Sequence, residues 1–266
     1  MPRTFASYAA AVDALEAAVE LRREPVGSKI IRDQAEFDAF DAPQPRVAAY
    51  YCALVKLATR GYRFKLAPQH FKCGAAAHVL GVEPVADEVG RADEYVACGL
   101  YASGPTALGA LSGVPTLPAG VVGVVVAPLA SFSAGEAPDV ALLMASTYTA
   151  MRLVQGYSFH RHQGAVSRLL GMHGICGEST SAPLLSGAMT MSLLCSGTRF
   201  MAKWTEDEIA IGLPAAHFGE LVDGVLETLA PCETDAKKRS HSARAGDRLA
   251  ASDVSIGIGE AYFLDV

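Results

Sequence analysis

Residues 138–159 read PDVALLMASTYTAMRLVQGYSF, and the change of pattern within them decides the fold class. Val140 to Ala145 is apolar on both sides of an extended chain, as a buried strand requires. From Thr147 onward the apolar residues Met151, Val154 and Tyr157 recur at helical spacing. A strand running straight into a helix is the βα step of α/β folds. Working outward, GVVGVVVAPL (120–129) is a second β-branched run, and PVGSKII (25–31) reads as a turn into a short strand. These predict an α/β protein with a largely buried sheet flanked by helices.

Helices are expected on either side of these strands. Phe5, Tyr8, Val12, Leu15 and Val19 share one face of an N-terminal amphipathic helix. AAYYCALVKLATRG (48–61) predicts a helix closed by Gly61, and HFKCGAAAHVLGV (70–82) a second, beginning near Gln69 or His70 and closed by Gly81. Residues 90–120, rich in Gly, Pro and Ser with only short apolar runs, suggest loops and tight packing. Thr205 and Glu208 have capping-box spacing, and HFGELVDGVLETL (217–229) is amphipathic. Residues 1–231 therefore read as one α/β domain. Residues 232–266 read as a polar, basic linker ending in a terminal strand, since Val254, Ile256 and Ile258 alternate with polar or small residues.

Composition narrows the function classes. Of 266 residues, 51% are hydrophobic and 19% charged, so the chain suits a packed core rather than disorder. A net charge of −6 excludes the cationic face a nucleic acid needs. The most apolar run, 114–132, is cut by Pro115, Pro118 and Pro128, so no membrane span is expected. Asp13, Glu16 and Glu20 break the N-terminal apolar residues, unlike a signal peptide. The expected partner is a small-molecule substrate and the expected location the cytoplasm; a homo-oligomer stays open.

Six cysteines in a chain without an export signal point to thiolate chemistry or burial rather than disulfides. Cys73 is placed about one turn into its helix, Cys176 sits in a Gly-Ile-Cys-Gly turn, and Cys195 precedes Ser196-Gly197-Thr198-Arg199. Glycine beside a ligating cysteine lets backbone approach closely and donate N–H groups to sulfur. Against this, no C-x-x-C pair exists. Cys98 and Cys232 read as small buried hydrophobes, and Cys52, inside a helix, as core or ligand equally. His160 and His162, in FHRHQ, would share one side of a strand. His70 and His173 each stand three residues before a cysteine, as a base beside a nucleophile or as two ligands. His78, His217 and His241 read as ordinary surface or bonded histidines. Arg152 and Arg199 are candidates to hold an anionic ligand, although lone arginines are more often surface ion pairs. Nucleotide-binding, P-loop, nucleophile-elbow and H-E-x-x-H motifs are absent.

Four blocks, in order, resemble the prokaryotic domain of unknown function 169 family. They are CALVKLATRGYRFKLAPQHFKCGAAAHVLGV (52–82), APDVALLMASTYTAMRLVQGY (137–157), GICGESTSAPLLSGAMTMSLLCSGTRF (174–200) and WTEDEIAIGLP (204–214). The resemblance covers roughly residues 15–230. It implies functional cysteines at Cys73, Cys176 and Cys195, with Cys52 as a further candidate, and so favours a metal or cluster site. HRHQ (160–163) and the segment from Cys232 depart from the family pattern.

Three expectations follow. The first is a redox or metal-dependent enzyme in which Cys52, Cys73, Cys176 and Cys195 hold an iron–sulfur cluster or another transition metal. His160 and His162 would then face the substrate or ligate a metal. The second is a metal-free enzyme with Cys195, beside Arg199, as nucleophile and a histidine as base. The third is a non-catalytic protein holding a small ligand or cofactor after strand 140–145.

Overall fold

The run PVGSKII becomes the strand between the two apolar runs, and that placement organises the sheet. The computed structural model describes residues 2–84 and 87–228. Its strands are β1 (Val26–Ile31), β2 (Phe64–Leu66), β3 (Gly123–Pro128), β4 (Val140–Ala145), β5 (Thr190–Ser192) and β6 (Ile209–Pro214). They lie in the order β2-β3-β1-β4-β6-β5, and every pairing is antiparallel. The helices are α1 (Tyr8–Ala18), α2 (Gln34–Ala39), α3 (Tyr51–Ala58), α4 (Gly74–Val79), α5 (Glu88–Ala97) and α6 (Gly104–Leu111), followed by α7 (Thr147–Phe159), α8 (Ala182–Ser186), α9 (Ser196–Ala202) and α10 (Phe218–Glu227).

The α/β class with a buried sheet therefore holds, in an antiparallel form. Successive side chains of a strand point to opposite faces. Val124, Val126, Leu142 and Met144 enter a core shared with α3, α4 and Ile175. Ala141, Leu143, Ala145, Ile211 and Leu213 enter a second core with α1, α7 and α10. Val125 and Ala127 join Phe37 and Phe132 in a third cluster. Strands covered by helices on both faces read apolar throughout, whatever the direction of their neighbours. Among the described residues, no helix is long and apolar enough to cross a membrane.

Strand β4 does pass directly into α7, where Ser146 caps the helix by accepting the Thr149 N–H (3.2 Å). Of the three apolar residues expected to pack, Tyr157 is buried and Val154 packs against the same core, but Met151 is not part of that face. Met151 is exposed, whereas Ala150, Leu153, Gly156 and Tyr157 are buried. Gly156 explains this: a Cβ there would lie 2.6 Å from Val225 N, and one on Gly224 would lie 1.9 Å from Gly156 O. The two helices touch backbone to backbone through this pair of glycines.

Other expectations are corrected. Residues 90–120 are not mainly loops: they contain most of α5 and all of α6, while the tight packing expected there is met where the two helices contact each other. Thr205 and Glu208 do pair, with Thr205 N–H donating to Glu208 Oε2 (2.9 Å), but they close a turn into β6 rather than start a helix. Cys98 is exposed, at the end of α5, instead of buried. The proposed linker and terminal strand, with Cys232 and His241, lie outside the described residues.

Candidate functional site

Cys52, Cys73, Cys176 and Cys195 come from four separate segments and line one cavity of about 250 Å³, on the α3–α4 side of the sheet. Cys52 lies in the first turn of α3. Cys73 is the N-cap of α4, not a residue one turn inside it, because the helix begins at Gly74. His70 belongs to a separate short turn, where its Nδ1 accepts the Ala67 N–H (3.0 Å), so it does not pair with Cys73. Cys195 is the N-cap of α9. Cys176 lies in a π-helical segment, Gly174–Ser181, a rare geometry that often marks functional sites.

Close backbone approach brings these segments together. A Cβ on Gly174 would lie 2.8 Å from Cys195 N, so the strands of chain bearing Cys176 and Cys195 touch at a position only glycine permits. A Cβ on Gly212 would lie 1.8 Å from Ser179 O, which seats the π-helical segment on β6. Ser181 donates to Val79 O (2.7 Å) at the end of α4. The buried Tyr51 hydroxyl bonds both Ser28 Oγ (2.9 Å) and Thr180 Oγ1 (3.1 Å), joining α3, β1 and the π segment. Burial pushes that phenol up to about 12. Glu178 accepts the Leu170 N–H (2.8 Å) and the Ser192 hydroxyl, whose oxygen in turn accepts the Leu194 N–H (2.9 Å).

Backbone N–H groups lie beside the thiols. Cys195 Sγ accepts the Thr198 N–H (3.3 Å). The amides of Ala75 and Ala76 lie near Cys73, whose Sγ makes no cap hydrogen bond, and that of Gly177 lies near Cys176. The Thr198 side chain lies 3.1 Å from Cys195 Sγ and also bonds Cys52. These donors favour the thiolate, but burial outweighs them. Desolvation pushes Cys52 up to about 11, Cys73 above its usual range and Cys176 well above it, and the neighbouring cysteines add to the effect. Four thiolates cannot share this cavity without a cation between them.

His173 completes the lining. It is 5% exposed, adopts a left-handed backbone (φ 52°), and its buried Nε2 has no hydrogen-bond partner. Burial, helped by the Arg91 charge, lowers it to about 4, so the ring is neutral at physiological pH. Its edge faces Tyr95, whose hydroxyl is raised to about 12, chiefly by burial. Among the described residues, no three His, Cys, Asp or Glu side chains are drawn close enough to enclose a single ion. A cluster several ångströms across holds its cysteines farther apart than one ion does.

The other candidates lie elsewhere. His160 caps the end of α7 and bonds Asp223 Oδ2 (2.7 Å), on the opposite face of the sheet, while His162 is exposed beyond the helix. Arg152 is buried between α7 and α10, donating to Gln155, Thr228 and Val225 O. Arg199 donates to the carbonyls of Leu193 (2.8 Å), Glu208 (3.0 Å) and Thr205, bracing the loop behind α9. Thr198 and Tyr51 carry no motif that announces them; only the folded arrangement shows their parts.

Comparisons with known proteins agree with the chain's blockwise resemblance. An uncharacterised protein of Methanocaldococcus jannaschii, MJ0308, is 23% identical over 182 residues, which span 66% of this chain and 75% of that protein. No solved structure matches. The DUF169 family, described as uncharacterised ArCR, matches residues 14–224, and the chain belongs to that family.

Proposed function

We propose that the four-cysteine cavity holds a thiolate-ligated metal centre, an iron–sulfur cluster of the four-cysteine type in the first instance, and that the protein acts there on a small molecule. The observation that carries this is the convergence of four cysteines from four separate segments on one cavity, where the Thr198 N–H donates to Cys195 Sγ. Thiols gathered around one cavity, with backbone N–H groups nearby, are the environment cluster sulfurs require. The donor set fits such a group: soft thiolates in a largely apolar pocket whose combined charge calls for a cation. When bound, the group supplies electron-transfer or Lewis-acid chemistry. The residues of this chain do the rest. Thr198 donates to Cys195 Sγ, the amides of residues 75, 76 and 177 lie near two more sulfurs, Tyr51 and Glu178 fix the segments that carry them, and His173 offers a neutral ring nitrogen to whatever enters. A reducing compartment, the cytoplasm, keeps such thiols available.

A second reading has one specific observation in its favour. The partnerless Nε2 of His173, in the same cavity as the thiols, suits a general base for a metal-free cysteine nucleophile. Iron, zinc and acid-labile sulfide per chain, measured with a visible spectrum on protein purified without air, separate the two. Near-stoichiometric metal that falls in Cys195→Ser supports the metal centre. Colourless, metal-free protein in which one of the four cavity cysteines, besides exposed Cys98, is rapidly alkylated supports the nucleophile.

A further inference from the structure

A second cavity, of about 430 Å³, adjoins the thiol cavity, and its chemistry points to the kind of molecule the site takes. Its lining includes Arg91 from α5, His78 from α4, Val114 and Thr116. Arg91 Nε and Nη1 are buried and have no hydrogen-bond partner. Buried guanidinium N–H groups without partners are costly, and in native proteins such groups call for an explanation. Nε–H and Nη1–H do not share one edge of the guanidinium, so each offers an oxyanion a single charge-assisted hydrogen bond.

The two cavities have no lining residue in common, but α4 and α5 contribute to both. Arg91 and Tyr95 are one turn apart on α5, so both lie on one side of that helix, and Tyr95 lines the thiol cavity. Both Arg91 and His78 act electrostatically on His173. Val114 meets the His173 region across Gly177, where a Cβ would lie 2.9 Å from His173 Cβ and 3.4 Å from Val114 Cγ1. The guanidinium of Arg168 lies over Gly113, beside the same cavity, at a position where a Cβ would be only 1.9 Å from its Nη1. Glu88 is the acidic member of the lining; His78 feels its charge and bonds the Glu83 backbone. Burial lowers His78, so Arg91 and Glu88 are the two fixed charges of the lining, and Arg168 adds a cation at its rim.

We infer that this second cavity is an oxyanion subsite, in which Arg91 holds the carboxylate or phosphate of an anionic small molecule whose remainder reaches the thiol cavity past His173. The subsite stands on its own geometry. Only the statement that the anion belongs to the substrate rests on the thiol-site reading above.

The test uses full-length protein and two probes, inorganic phosphate and succinate, against sodium chloride at matched ionic strength. Calorimetry measures saturable binding and thermal unfolding measures the rise in Tm. Wild type is expected to bind at least one probe saturably and to gain several degrees in Tm over chloride. Arg91→Gln should lose that gain while keeping any general salt effect, which it shares with wild type. Arg91→Lys keeps the charge without the guanidinium donors and should bind roughly tenfold more weakly; it carries the test if Arg91→Gln does not fold. A response to phosphate alone identifies a phosphorylated ligand, and to succinate alone a carboxylate. No saturable binding of either probe to wild type, or equal binding by Arg91→Lys, overturns the subsite. Cys73→Ser should bind the probe as wild type does. Metal without an oxyanion response therefore sinks this inference alone, and an oxyanion response without metal sinks only the metal centre.

Discussion

The two faces of the sheet use their polar groups differently. On the α7–α10 face, His160 bonds Asp223, Asp223 also pairs with Arg3 (3.3 Å), and Arg161 pairs with Glu220. The helices meet so closely there that two glycines are needed. On the other face, four half-buried or buried thiols, the Nε2 of His173 and two nitrogens of Arg91 surround open volume. One face pairs most of its charged side chains with one another, though Arg161 Nε and His217 Nδ1 stay buried without partners there; the opposite face gathers its partnerless groups around cavities. On the proposed function the cavity face is the working face, whereas His160, conspicuous in sequence, lies on the packing face.

The largest expected effect breaks the packing face. Gly156→Val forces α7 away from α10 and should cost about 3 kcal/mol or more, read as a lower denaturation midpoint. Metal per folded chain should be unchanged. If metal is lost while stability holds, the division between the faces is wrong.

The next effects come from the working face. His173 has its folded pKa lowered to about 4, so it favours the native state above its ordinary range and that contribution disappears as pH falls. Stability should therefore decline between pH 6.5 and about 4, by up to about 3 kcal/mol, and His173→Asn should flatten that slope while tolerating the left-handed backbone. An unchanged slope in the variant would assign the acid sensitivity elsewhere. Cys52 has its folded pKa raised to about 11, so metal-free protein should be at full stability below about pH 8.5 and lose about 2 kcal/mol as pH climbs toward 11. Metal-loaded protein, with the thiols already ionised and ligated, should not show that decline. Urea unfolding across the pH range reads both slopes.

The smallest effect sharpens the contrast from the packing side. His160→Gln removes one partly exposed partner of Asp223 and should cost less than about 1 kcal/mol, with metal content unaltered. A large loss of metal or of probe binding in this variant would return His160 to the site.

The sequence shows some of this directly and other parts not at all. The β4–α7 unit is legible because burial on both faces leaves an apolar run and the helix starts at a capping serine. The antiparallel direction is hidden for the same reason: helices on both faces erase the alternation that normally betrays it. Cys73, Cys176 and Cys195 stand out because glycine and small hydroxyl residues flank them. Their meeting depends on Gly174 and Gly212, whose contacts lie far away in the chain. Arg91 attracts no notice in EVGRADEYVA, since a lone arginine on a helix is ordinary until its partner is found to be missing. Met151 misleads because α7 packs through glycine, which periodicity arguments do not count.

The most direct test is mass-spectrometric alkylation of every cysteine in protein purified without air, before and after removal of metal with a chelator and oxidant. The account predicts that exposed Cys98 is labelled at once, while Cys52, Cys73, Cys176 and Cys195 are protected together and released together when the metal leaves. Independent labelling of the four, unaffected by metal removal, would contradict it.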